Sequence, residues 1–438
     1  MRDMNMKPLT KTVACAMLAC AGTGITQAET TSSMRWTMDT LEQGDNLKVM
    51  INDLNNHGQV TGYITTMDWA TRPFIRLDSD ITQFSGVTSG RGTKINDDGI
   101  ACGYGLTDLV FRFDESGPEA IVLVNNIASA YSNFEVNEAG MICGSTSSGS
   151  NAFTWSPDGT TELFNDFTIE DMNEAGNYVG ETDDTAFIRR DGVVELLDGN
   201  LALSIDETDR VIVRKRHASS VFEFTRYDAD SDESEAVAYI QLPEDHQGWN
   251  SPSFAANDSG MAAVAWPVEN PKQLINKARL GFWTSETGLV EIEVPDQIHF
   301  VIFEHLTESG MLVGRTLHGT NYDTRYFMAS PEHGFVDLSQ RMIGADEPMN
   351  ISSAVDVNES GQIALTIYGD GPNAHYSVIL TPARAGDVDG DDAVGVNDLL
   401  EVIGNWGAWP AGSPCGPDLD MDGQVNVTDL LICIGDWD

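Results

Sequence analysis

Between Leu41 and Pro382 the apolar residues fall into short continuous or alternating runs, each long enough for one strand, separated by polar turns that carry Gly. Phe134-Glu-Val136 alternates and Ile100-Ala-Cys102 is continuously apolar, and neither follows the 3.6-residue period of a helix. A recurring Asn-x-x-Gly separates such runs. Its clear copies are Asn55 to Gly58, Asn96 to Gly99, Asn137 to Gly140 and Asn173 to Gly176, followed by Asn257 to Gly260, Thr307 to Gly310 and Asn358 to Gly361. A worn copy at Asp206 to Asp209, lacking both Asn and Gly, fills the gap and makes eight. The chemistry suits a tight turn: Asn caps its own backbone, and Gly accepts a positive φ that other residues resist.

Successive copies are 33 to 51 residues apart, the spacing of propellers and solenoids. After most copies comes an aromatic strand, a turn and another apolar strand, as in Ala152-Phe-Thr-Trp155 with Asp158-Gly159 and Leu163-Phe164. About four strands per unit is the content of a propeller blade. The expected fold is therefore mainly β, a β-propeller of seven or eight blades built from the Asn-x-x-Gly repeats, with a sandwich pair or a β-solenoid as the alternative. These repeats resemble the HAF family of extracellular repeats, which combine an Ala-Phe-x-Trp strand, a Gly turn and an Ile-Asn-x-x-Gly-x-Val-x-Gly strand. That resemblance implies an exported, propeller-like β-domain and no particular reaction. Trp155, Trp283 and Tyr326 recur at one place in the repeat, which favours blade core over sugar stacking.

Beyond Gly386 the pattern changes. Two twelve-residue acidic stretches, Asp387 to Asp398 and Asp418 to Asp429, place carboxylates at positions 1, 3, 5 and 12, the spacing by which one loop gathers oxygens around a hard cation. Each leads into the same apolar segment, Val396 to Trp406 and Val427 to Trp437. Leu399, Leu400, Val402, Ile403 and Trp406 lie near helical spacing, which predicts one helix face packed on its counterpart from the second copy.

Loop then helix, duplicated, resembles a type I dockerin over Gly386 to Asp438. The resemblance implies two calcium ions. Asp387, Asp389, Asp391 and Asp398, with the Ala393 carbonyl, would hold one; Asp418, Asp420, Asp422 and Asp429, with the Gln424 carbonyl, would hold the other. At position 6 the first loop has Asp392 where the second has Gly423, so the second site is expected to bind more tightly. The family docks onto a cohesin through loop positions 10 and 11, here Val396-Asn397 and Val427-Thr428 rather than Ser/Thr pairs, so a cohesin-like partner and a role as an anchor or assembly tag are both expected readings.

Charge and leader residues agree with work outside the cell. With 68 Asp and Glu against 24 Lys and Arg, the net charge of −44 repels nucleic acid and anionic lipid. Residues 1–28 read as a signal peptide, with a basic start, an apolar run from Val13 to Ala21 and a small-residue cleavage site at Thr26-Gln27-Ala28. No later stretch is long enough to span a bilayer. Cys20, after Met17-Leu18-Ala19, matches a lipoprotein box only loosely, so a secreted chain is expected over a lipid-attached one. The expected division is leader 1–28, propeller-like repeats 29–382 and calcium module 383–438. Cys415 and Cys433 flank the second loop, where a bridge would staple it; Cys102 and Cys143 occupy equivalent places in successive repeats and are expected as buried thiols at least as readily as a disulfide.

No HExxH, GxSxG or P-loop occurs, and the eight His residues are scattered, with His57 in a repeat turn. No catalytic residue can be picked out. Two functions remain: a non-catalytic propeller that binds a protein or glycan and is held in an assembly by its calcium module, or a polysaccharide-active glycoside hydrolase tethered in the same way. Convergence of Asp or Glu residues from different blades in a central pocket would favour the second.

Overall fold

A computed structural model of the protein describes residues 34–437, apart from 42–47, 67–69, 79, 85–86, 88, 106–108, 115–116, 123–130, 147–150, 243–251, 269–276, 319–322, 344–349, 369–374 and 411–415. The expected leader, with Cys20, and Cys415 lie outside the described residues. Residues 31–438 form one compact unit.

The repeats form eight four-stranded antiparallel sheets, the blades of a propeller. Seven are built from consecutive strands, at 48–83, 91–122, 131–165, 167–196, 201–241, 253–292 and 298–337. The eighth takes three strands from 351–382 and its fourth from the N-terminal strand Trp36–Leu41, which runs antiparallel to His375–Pro382 with Trp36 opposite Pro382. The two ends of the repeat array thus share one sheet, which closes the ring.

Each Asn-x-x-Gly turn joins the first two strands of a blade. The side chain of Asn137 accepts from the backbone N–H of Met141 at 2.8 Å, and Gly140 adopts φ +74°. The worn fifth copy keeps this geometry. Asp206 Oδ1 accepts from Thr208 N and Arg210 N, and Asp209 takes φ +58° in the place of Gly. Between blades the core is apolar: Phe134, Ile142, Phe153 and Trp155 of blade 3 pack with Cys102 and Val110 of blade 2. Trp155, Trp283 and Tyr326 are all buried, as blade core requires.

The C-terminal segment folds as two nine-residue helices, α1 (Val396–Gly404) and α2 (Val427–Gly435), joined by the strand pair Gly407–Ala408 and Gln424–Val425. Their small core holds Val388, Val394, Val402, Leu419, Val425 and Cys433, flanked by Leu399 and Leu430. The expected buried face is corrected here. Leu399 and Val402 turn inward, but Leu400, Ile403 and Trp406 are exposed. Nine-residue helices meet along a narrow line, too narrow to cover the whole apolar arc.

Among the described residues Cys102, Cys143 and Cys433 are buried free thiols, and the expected bridge from Cys415 lies outside them. Arg35, just before the closing strand, donates to the carbonyls of Arg384, Ala385 and Gly416, which pins the C-terminal segment against the ring closure. Among the described residues no helix is long and apolar enough to cross a membrane.

Candidate functional site

The first strand of each blade faces a central channel, and at the end carrying the Asn turns the channel opens into a cavity of about 300 Å³. Three hydrogen-bonded rings build its wall. In the first, the turn Asn of one blade donates its amide to the carbonyl of the equivalent residue in the next: Asn55 to Asn96, Asn96 to Asn137, Asn137 to Asn173, Asn173 to Asp206, Asn257 to Thr307, and Asn358 back to Asn55. Asp206 and Thr307 lack an amide, and the ring is interrupted after each.

The second ring uses the residue after the Asn. The backbone N–H of each such residue donates to its counterpart in the next blade, from Asn56 to Asp97, Asp97 to Glu138, Glu138 to Glu174 and Glu174 to Glu207, then Asp258 to Glu308, Glu308 to Glu359 and Glu359 to Asn56. Among the described residues only the step from blade 5 to blade 6 lacks both kinds of link. The third ring lies two residues before the Asn. Asp53 accepts from Ile95 N at 2.7 Å, Asp171 from Ile205 N at 2.9 Å and Asp356 from Leu54 N at 3.1 Å, each reaching the next blade. Carboxylates here satisfy N–H groups at strand ends that would otherwise be buried unpaired.

Lys94, Glu135 and His305 hold that third position in blades 2, 3 and 7, and the cavity lies against all three. Their side chains are 32%, 32% and 39% exposed, against 7% for Asp53 and 6% for Asp356. The Lys94 ammonium stands 3.4 Å from Asp53 and 3.9 Å from Glu135. Those two carboxylates hold its pKa well above the usual range. Burial pushes Asp53 up to about 7 against the pull of Lys94, with Asp356 adding repulsion. Burial, followed by repulsion from Glu135, pushes Asp171 to about 7 as well. Burial and then the Lys94 charge hold His305 down to about 4, so the imidazole is neutral at neutral pH. Its Nδ1 lies 3.2 Å from Asp356 Oδ1. Such a cluster can bind hydroxyl groups and exchange protons near neutral pH.

The C-terminal loops form a second site. In each, the carboxylates at positions 1, 3 and 5 come within 4.8 Å of one another and could hold a metal ion: Asp387, Asp389 and Asp391, then Asp418, Asp420 and Asp422. The position-12 residues stand apart from these trios. Asp398 accepts from the N–H groups of Val388, Asp389 and Gly395, and Asp429 from those of Leu419, Asp420 and Asn426. Ala393 and Gln424 donate their backbone N–H to Asp391 and Asp422. An all-oxygen donor set suits a hard cation, and Asp418 Oδ1 is buried with no hydrogen-bond partner, so the residues present fit an ion there. As the loop composition suggests, Asp392 takes a positive φ, +66°. Position 4 does too, and there the first loop has Gly390 at +79° while the second has Met421 at +59°. Each loop therefore carries one strained side chain, and position 6 alone no longer ranks them.

Val396, Leu400, Ile403 and Trp406 on the first copy match Val427, Leu431, Ile434 and Trp437 on the second, and Trp437, the least exposed, is still 43% exposed. Within each helix the three residues are spaced i, i+4, i+7 and share a face.

Sequence reasoning missed the channel cluster. Its signal was present: the position two before the turn is ionisable in six copies, at Asp53, Lys94, Glu135, Asp171, His305 and Asp356. Nothing in the sequence says these six meet.

The chain matches no protein-family model and no curated protein. Solved structures similar to it include a virginiamycin B lyase from Staphylococcus aureus, at 12% identity and TM-score 0.43 over 80% of this chain and 99% of that one. An oligogalacturonate lyase in complex with manganese aligns at 10% identity and TM-score 0.45 over 80% and 97% of the two chains. Sqt1 from Saccharomyces cerevisiae aligns at 8% and 0.47 over 78% and 98%. At these values the likenesses carry nothing about activity or ligand.

Proposed function

We propose that this is an exported binding protein, its propeller engaging a glycan or protein and its C-terminal dockerin-like module attaching it, in calcium, to a cohesin-like or cell-surface partner. The pair of exposed apolar stripes carries the attachment reading. Two short helices that display Val396, Leu400, Ile403 and Val427, Leu431, Ile434 to solvent leave an apolar face without a partner inside the chain. The carboxylate trios beside them supply the calcium dependence. Calorimetric titration of the full chain should find two calcium ions, one lost in Asp387→Asn and the other in Asp418→Asn. Immobilised type I cohesin should capture the chain with calcium and release it in EDTA. A chain that takes up no calcium sinks this reading.

One observation favours a second reading, a polysaccharide-active glycoside hydrolase. Carboxylates from different blades, Asp53, Glu135, Asp171 and Asp356, converge at one cavity with Lys94 and His305. The mature chain would then release reducing sugar from a polysaccharide panel, and Glu135→Gln would abolish it. Absence of release across the panel returns the propeller to binding alone.

A further inference from the structure

The third channel ring separates its members by how their polar atoms are used. Asp53, Asp171 and Asp356 each accept a backbone N–H from the neighbouring blade. Lys94, Glu135 and His305 have no such link. The 3.4 and 3.9 Å separations of Lys94 from its carboxylates exceed the ~2.7–2.9 Å of a well-formed charge-assisted bond, so its ammonium has reach for a third partner. Among the described residues Glu135 has only that 3.9 Å neighbour, and the His305 side chain is 39% exposed.

We propose that Lys94, Glu135 and His305 form a subsite for a single sugar ring that carries adjacent hydroxyls and no negative charge. The proposal rests on the reading of the propeller as a glycan binder and names where and what it binds. Lys94 and Glu135, on adjacent blades, present a donor beside an acceptor. Neighbouring hydroxyls of a sugar match that pair, because one oxygen accepts from the ammonium while the next O–H donates to the carboxylate. Blade 7 stands across an eight-membered ring from blade 3, and His305 lines the same cavity, where its imidazole serves another hydroxyl. A ligand that was only an anion or only a cation would satisfy one of these groups and leave the others unmatched.

Size and charge narrow the class further. The cavity, about 300 Å³, lies at the small end of the ~300–1,000 Å³ typical of ligand pockets, which suits one ring and not a chain lying along its length. Among the described residues no Phe, Tyr or Trp lines it, so recognition is by hydrogen bonding and not by stacking on such a ring. Asp97, Glu138, Asp258, Glu308 and Glu359 stand around the same mouth, and their field repels uronates and sulfated sugars.

Calorimetry of the full mature chain with xylotetraose, chitosan tetraose and tetragalacturonate as probes tests this. Saturable binding is expected of the neutral or amino sugar and not of the uronate. Lys94→Met, Glu135→Gln and His305→Ala should each weaken it by about tenfold or more, the loss of one good hydrogen bond to a charged or buried group. Glu286→Gln, on an exposed outer hairpin, should bind as the parent does. Glu135→Gln is isosteric and removes no inter-blade hydrogen bond, only the long 3.9 Å ion pair with Lys94, so its result stands even if another variant misfolds. If the parent binds a sugar and Glu135→Gln and His305→Ala bind it equally well, glycan binding survives and this assignment falls. Preference for tetragalacturonate also overturns it. If no probe binds, the glycan-binding reading and the subsite fall together.

Discussion

Acidic turns occur in both parts of this chain, and they are put to opposite uses. In the propeller a carboxylate looks outward to a neighbouring blade, as Glu138 does in accepting the N–H groups of Asp97 and Asp98 of the preceding one. In the C-terminal loops three carboxylates look inward at one another, and a buried oxygen of Asp418 has no partner. The lesson is that acid content alone does not announce a metal site. What separates the two is that in each C-terminal loop three carboxylates converge, and in the second an oxygen is left over after the backbone donors are used.

Removing calcium should break this comparison most visibly. The module's core is six buried residues, too few to offset the repulsion within two carboxylate trios, so on the calcium-binding proposal the ions' binding energy would be folding energy there. The propeller holds no comparable trio among the described residues. In EDTA, Trp406, Trp409 and Trp437 should report loss of the module at low temperature while the β-sheet circular dichroism signal persists. A single unchanged melting transition with and without EDTA contradicts the distinction.

A smaller effect is expected from single links of the ring. Asn137→Ala removes the part-buried acceptor for Met141 N–H and the buried amide bond to the Asn173 carbonyl, and should cost about 1–3 kcal/mol in urea denaturation. Asp206→Asn runs the other way. It keeps the Oδ1 acceptor that holds the turn and adds the amide missing between blades 5 and 6, for a gain of about 0.5–1.5 kcal/mol. If Asp206→Asn destabilises, the interrupted ring is not a defect that an amide can mend.

The two regions should also respond to pH with opposite sign. Folded pKa values of about 7 at Asp53, which faces Lys94 and Asp356, and at Asp171, which faces Glu135 and Lys94, lie above the unfolded value of about 3.9. The folded propeller therefore binds more protons than the unfolded chain between those limits, and its stability falls as pH rises through about 7. His305, held down to about 4, works against this below its unfolded value of about 6.5, but it is one group against two. The propeller should melt higher at about pH 5 than at about pH 7.5. Calcium binding needs ionised carboxylates, so the module should weaken over the same change. Parallel shifts of both transitions contradict the contrast.

How much of this could be read in advance follows the range of each interaction. Asn137 and Gly140 lie three positions apart in one turn, so a local rule finds them, and the strand content follows from the alternation around them. The worn copy at Asp206 was legible because Asp keeps the acceptor and Asp209 tolerates a positive φ. The loop carboxylates were legible for the same local reason. Lys94, Glu135 and His305 were not, because they meet only once the ring has closed, and the uneven repeat spacing hides which positions are equivalent. The helix face was misjudged for a related reason: periodicity shows that Val402 and Ile403 belong to an apolar arc, but the contact line between α1 and α2 decides that only Val402 is covered.

The smallest effect sharpens the comparison within the module itself. Asp392 in the first loop and Met421 in the second both occupy the left-handed region, at φ +66° and +59°. Asp visits that region more readily than Met, because its short polar side chain bonds locally while a long apolar one does not. Glycine removes the strain in either loop but loosens the unfolded chain by about 0.4–1 kcal/mol, which offsets part of the gain. Met421→Gly should therefore raise calcium affinity at its loop a few-fold, and Asp392→Gly should change its own loop less, as read by calorimetric titration of the two sites. If Asp392→Gly gives the larger increase, position 6 governs the ranking after all, and the second loop is the tighter site.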